Sequence, residues 1–184
     1  LVACQAFTMV FASACLLAIS AELQWTVPLI LLCAPILGFL AWNWPPARIM
    51  MGDAGSSFLG LFISLLGLHL SGDTSINLWV WLTLMSVFIC DVLTTLALRL
   101  YRRLSWWPGS HKQHAYQILA RRWDSHFYVT LLLCLLNWLW LFPLAYLAME
   151  YESIGLFIWL GAMAPLIAGC VWLSAGAEDE AMPL

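Results

Sequence analysis

Six long apolar runs, almost free of charge, set the terms on which this chain can fold. They lie near residues 2–20, 25–42, 57–70, 78–98, 127–147 and 154–174. A helix needs roughly 20 mostly apolar residues to cross a bilayer core about 30 Å thick. The third run is short for that; the others are close to it. A helix lying against water shows a polar face, and these runs show almost none. Composition agrees, with 64% hydrophobic and 9% charged residues, against about half and a quarter in soluble domains. A water-soluble single domain and a disordered chain are both excluded. The expected architecture is all-α: a polytopic integral membrane helix bundle of about six transmembrane helices. Pro28 and Pro35 fall inside the second run, where a kink is expected.

Charge placement then orients the bundle. The seven basic residues fall in two connections. Arg48 lies between the second and third runs; Arg99, Arg102, Arg103, Lys112, Arg121 and Arg122 lie between the fourth and fifth. Two spans separate these connections, so they share a side, and the excess of positive charge marks that side as cytoplasmic. The opposite connections carry Glu22, Asp73, Glu150 and Glu152 and no Lys or Arg. The acidic tail of Glu178, Asp179 and Glu180 returns to the cytoplasm. Tryptophans near the run ends, such as Trp25, Trp44 and Trp123, read as headgroup-level anchors. The six cysteines form no CxxC pair and read as small hydrophobes. The net charge of −3 gives no reason to expect a nucleic-acid partner.

Polar chemistry gathers in the two cytoplasmic connections, about 43–56 and 99–126. The first holds Asn43, two prolines, and Asp53 between Gly52 and Gly55, followed by Ser56 and Ser57. The glycines allow a tight turn, and Ser56 or Ser57 can cap the next helix. A helix N-terminus favours anions, and a carboxylate beside it accepts an anion when a cation bridges the two. The plainer alternative is that Asp53 only caps a turn. The second connection carries His111, Lys112 and His114. The histidines are three apart, hence on one face if helical. A third metal ligand is not nearby, so phosphate or a nucleotide diphosphate suits them better than a metal. Asp91 sits inside the fourth run, where an ionisable group either faces a site or bonds to Thr94, Thr95 or a neighbouring helix. His69 and His126 read as interfacial.

Met51-Gly52-Asp53-Ala54-Gly55-Ser56 with Leu59-Gly60, preceded by Asn43 and Pro46-Ala47, resembles the signature of the polyprenyl-phosphate N-acetylhexosamine-1-phosphate transferases, glycosyltransferase family 4. Asp91 with Thr95 and Arg102-Arg103 resembles the next block. His111-Lys112-Gln113-His114-Ala115-Tyr116-Gln117 is similar to the family's histidine motif, in the form found in O-antigen initiating enzymes. The three blocks come in the family's order over about residues 43–122.

The resemblance implies a phosphoglycosyl transferase of the bacterial inner membrane, acting at the cytoplasmic leaflet. A UDP-activated N-acetylated sugar gives its sugar-1-phosphate to undecaprenyl phosphate and UMP leaves, a step that initiates O-antigen, lipopolysaccharide or related glycan synthesis. It implies Asp53, His111 and His114 as catalytic, with Asp53 a ligand of magnesium, or of manganese in its place. It further implies Asn43, Gly52, Gly55, Ser56, Asp91, Arg102, Arg103 and Lys112 as substrate-binding residues. A homodimer is left open. The family's Asp-Asp pair and DGxDG loop have no counterpart in this sequence. Residues 1–184 therefore read as the C-terminal part of one transmembrane transferase domain whose N-terminal part precedes Leu1, and the chain alone is expected to be inactive. Two alternatives remain. One is the muramyl-pentapeptide transferase branch, disfavoured by the absence of a three-His run. The other is a non-enzymatic membrane module, disfavoured because transporters place polar groups at mid-membrane on broken helices.

Overall fold

The computed structural model describes residues 2–44, 46–101 and 114–173. Every regular element among them is helical: α1 Val2–Ile19, α2 Leu23–Asn43, α3 Gly52–Asp73, α4 Leu78–Leu84, α5 Ser86–Tyr101, α6 Ala115–Arg122, α7 His126–Leu135, α8 Phe142–Glu150 and α9 Gly155–Trp172. A π-helical stretch, Leu136–Leu141, joins α7 to α8, and a 3₁₀ turn, Glu152–Ile154, precedes α9. The protein is an all-α polytopic membrane bundle. Among the described residues five helical segments are long and apolar enough to cross a bilayer, and a sixth is added if α4 and α5 count as one bent span.

Helix α1 is the centre. Two thirds of its apolar window is buried, against 17–22% for the other single spans. Its small residues Ala3, Ala6, Ala12 and Ala14 are all buried, which lets α2 approach closely. On the lipid side, α2 and α3 present Ile30, Leu31, Phe58, Leu61, Leu65 and Leu68, all exposed. Bare apolar faces like these are what hydrocarbon tails solvate.

The two ends of the bundle are segregated as alternating spans require. At one end the Ser75 amide donates to Glu22 Oε1 (2.8 Å), the Ser75 hydroxyl bonds Ser20 Oγ (2.9 Å), and Asn77 Nδ2 donates to the Ala148 carbonyl (2.8 Å). This is the end with the acidic connections. At the other, Trp44 meets Phe127 edge-on with ring centres 6.1 Å apart, and Asp91 meets His114.

Three local features refine the pattern of the six runs. The third span is not short: it starts at Gly52 and runs 22 residues to Asp73. Pro28 and Pro35 do not interrupt α2, which continues through both. The fourth run is instead the broken one, bent by 68° at Met85 between α4 and α5. No proline or glycine lies between Leu78 and Tyr101. At the break Ser86 Oγ donates back to the Leu82 carbonyl (2.9 Å), a bond known to bend helices, and α4 packs against α8 while α5 packs along α9.

Candidate functional site

The turn before α3 is closed by its own backbone and by Asn43. The Arg48 amide donates to the Trp42 carbonyl (2.9 Å), and Asn43 Nδ2 donates to the Ile49 carbonyl (2.7 Å). Gly52 then takes φ +67°, a left-handed conformation that only glycine adopts without strain. That residue turns the chain into α3 and sets Asp53 in the first helical turn. The expected serine cap is not made. Ser56 lies one turn inside the helix, where its hydroxyl donates to the Asp53 carbonyl (3.1 Å). The first-turn amides of α3 keep their positive end, and an acidic side chain there is favoured.

Asp91 projects from α5 toward the start of α6. Its Oδ1 accepts from the Ala115 amide (2.8 Å), and its Oδ2 lies 2.9 Å from His114 Nδ1. His114 is not helical: it precedes α6 with extended backbone, φ −70° and ψ 147°. The expected helical i, i+3 face for His111 and His114 therefore does not form at His114. Its amide donates to Gln117 Oε1 (3.2 Å), and its ring stacks on Tyr116 at 5.8 Å. The contact with Asp91 raises the His114 pKa above the usual 6.5, against burial and Arg99, which lower it. Burial, with the charge of Asp91, pushes the Tyr116 phenol up as well.

Ser56, Asp91 and His114 line one cavity of about 710 Å³. Most of its remaining wall is apolar, built by Val87 and Phe88 of α5, Leu132 and Leu133 of α7, and Leu166 and Cys170 of α9. So residues from all three sequence blocks, spread over nearly 60 positions, share one chamber at the basic end of the bundle. Asp53 is not on the wall; it stands one turn before Ser56. Gly52 and Gly55 shape the helix start, and a side chain at Gly55 would meet Met51 Cγ at 2.7 Å. Arg102, Arg103, His111 and Lys112 lie outside the described residues.

The sequence reading passes over two residues that matter here. Gln5, in α1, lines the cavity and accepts from Asn137 Nδ2 of the π-helical stretch. Asn137 also donates to the Leu133 carbonyl (2.9 Å). Both are nearly fully buried. Uncharged amides inside apolar runs were the available signal, and a search for charges alone skips them.

Among the described residues no three His, Cys, Asp or Glu side chains converge on one point, so the described chain holds no closed protein cage for a metal. Magnesium, however, commonly takes one or two carboxylates and fills its shell with water and substrate phosphate. Asp53, exposed at a helix start, suits that open kind of site.

Fold and site together define a class: a polytopic membrane protein with a cavity lined by Ser56, Asp91 and His114 at the basic ends of its helices. Residues 1–71 match the family model described as glycosyl transferase family 4. The match takes in Asn43 and the Gly52–Gly60 block and stops short of Asp91 and His114. The chain is also similar to a Bacillus subtilis (strain 168) protein named "Probable undecaprenyl-phosphate N-acetylglucosaminyl 1-phosphate transferase", 46% identical over 56 residues. That match covers 30% of this chain and 14% of the relative's length. No solved structure matches the chain.

Proposed function

We propose that this chain is part of a phosphoglycosyl transferase of a bacterial inner membrane. The enzyme moves an N-acetylated sugar-1-phosphate from a UDP-sugar to undecaprenyl phosphate at the cytoplasmic leaflet and releases UMP. The observation that carries this reading is the shared chamber: Ser56, one turn from Asp53, lines the same cavity as the Asp91–His114 pair, and most of the other lining residues are apolar. The family match over residues 1–71 and the relative's name support it.

In the reaction an oxygen of the lipid phosphate attacks the sugar-bound phosphorus. The new P–O bond forms as the bond to the UMP oxygen breaks, and UMP carries away the electron pair. The attacking phosphate is already ionised, so no general base is needed. What must be overcome is repulsion between two anions. His114, charged more readily because of Asp91, offers a cationic donor to the phosphate oxygens. The amides at the start of α3 offer partial positive charge. Asp53 would hold a divalent cation, magnesium or manganese, shared with the substrate phosphates; such an ion offsets their charge when bound. The apolar wall excludes water from the reacting phosphates.

The test uses the whole protein in membranes, supplied with undecaprenyl phosphate and UDP-N-acetylglucosamine, with UMP release as readout. Asp53→Asn should reduce turnover at least a hundredfold. Full turnover by that variant, or no UMP from the unmodified protein with any UDP-N-acetylhexosamine, overturns the reading. The O-antigen or lipopolysaccharide destination of the product belongs to the same proposal and would show as loss of that glycan in cells lacking the protein. By the same reading the 184 residues alone exchange no UMP, because the family's Asp-Asp pair has no counterpart in them. UMP exchange by this chain alone would overturn that part.

A further inference from the structure

We infer that Asp91 is a positioning residue, which fixes the orientation and tautomer of His114 so that its free nitrogen serves the chamber, and that it does not itself contact substrate phosphate. This rests on the reading that anionic phosphate enters the chamber.

The argument is one of occupancy. A carboxylate that binds phosphate through a cation needs an oxygen to give. Oδ1 of Asp91 accepts from the Ala115 amide, and Oδ2 lies 2.9 Å from His114 Nδ1, an ion-pair contact whose angle falls short of a hydrogen bond. The two contacts fall on consecutive residues at one chain junction. Together they fix both the peptide that starts α6 and the ring attached just before it. The Asp91 side chain is 15% exposed and that of His114 37%, so the carboxylate lies behind the imidazole as seen from solvent. A carboxylate facing Nδ1 keeps the proton on that nitrogen. Nε2 is then the nitrogen left for a ligand, and when the ring is charged it is a donor. The Gln117 contact to the His114 amide and the stacked Tyr116 ring hold the same junction from the α6 side.

The groups facing His114 are few. Asp91 and Arg99 come from α5, and Tyr116 and Gln117 from α6. Ser56 of α3 and the thiols Cys90 and Cys170 line the same chamber. Among the described residues that line it, Asp91 is the carboxylate, so the acid that fixes the ring is identified without competition.

The test is histidine nitrogen NMR on the whole protein, ¹⁵N-labelled at histidine, in lipid nanodiscs. The His114 signals are assigned by their loss in His114→Gln. In the unmodified protein the neutral ring should carry its proton on Nδ1. Asp91→Asn keeps an oxygen for the Ala115 amide, so α6 stays capped. Its NH₂ then faces Nδ1 and should drive the proton to Nε2, with at least a threefold fall in the ring's proton affinity. Asp91→Glu, which keeps the charge, should restore the Nδ1 tautomer. An unchanged tautomer and midpoint in Asp91→Asn would overturn the inference. The pH profile of UMP release separates the two readings. If its alkaline limb moves with the NMR midpoint, both stand. If the midpoint moves and the limb does not, the positioning stands and the phosphate-binding role of His114 falls.

Discussion

Replacing Gly52 by alanine isolates backbone conformation from packing at the start of α3. A Cβ built at Gly52 meets nothing within 4 Å, and the residue sits at φ +67°. The substitution therefore adds no clash, and its effect on the folded state is the strain of an L-residue in left-handed space, about 1–2 kcal/mol. Gly38 in α2 is the matched control: a Cβ there also meets nothing within 4 Å, and its backbone is helical. Gly38→Ala should instead stabilise by roughly 0.5–1 kcal/mol, because glycine loses more freedom on folding. The entropy gained from a stiffer unfolded chain is common to both, so the two variants should stand roughly 1–2 kcal/mol apart. Reversible SDS unfolding in mixed micelles, followed by helical circular dichroism, reads this difference. Gly52→Asn should fall between them, since asparagine tolerates the left-handed region better than alanine. The transfer assay adds a second readout. If the chain escapes strain by moving the α3 start, Asp53 moves with it and turnover falls more than stability does. Equal stability of Gly52→Ala and Gly38→Ala would refute the reasoning, because it would mean that Gly52 does not need its positive φ.

Asn77 caps α4 by accepting from the Val80 amide (3.1 Å) and also donates to Ala148 (2.8 Å); Asn77→Ala should lower SDS-unfolding stability by roughly 2–3 kcal/mol, and Asn77→Asp should recover only the cap. Gln5→Leu and Asn137→Leu each strand a buried amide and should each lose about 1–3 kcal/mol, whereas the double variant should be closer to the parent than either single one; additive losses would show that the two side chains are not partners. His114 has a raised pKa in the fold, so the stability it lends is complete below the ordinary imidazole value of 6.5 and disappears as pH rises through the higher folded value. Amide exchange at Ile118 and Leu119, corrected for base catalysis, should therefore show protection falling as pH rises above 6.5 and through the higher folded value. Asp91→Asn should flatten that dependence.

The fold was largely legible because lipid solvation is a coarse filter: a run of about 20 apolar residues has few alternatives to a spanning helix. What escaped was set by neighbours. The bend at Met85 has no proline or glycine to announce it; it follows from how α4 meets α8 and α5 meets α9. Pro28 and Pro35 lie inside α2, whose helix is continuous through both. At the site, Asp53 and Ser56 could be placed near a helix start from spacing, but the cap assigned to Ser56 was wrong because Gly52 already makes the turn. The contact of Asp91 with His114 joins α5 to the residue before α6, a distance that no local pattern encodes. The sequence could offer Asp91 only a choice between site wall and hydrogen bond.

The π-helical stretch Leu136–Leu141 has a consequence for insertions and deletions. An α-helix turns about 100° per residue, so one residue gained or lost rotates everything beyond it by more than a quarter turn. Ala145 and Ala148, fully buried on the α8 side that meets α4, hold that phase only because the wide turn absorbs the extra residue. Deleting a single residue between 138 and 141 would let the wide turn relax to ordinary α-helix and leave both alanines facing α4, whereas the same deletion within α7 or early in α8 would swing them away by about 100°.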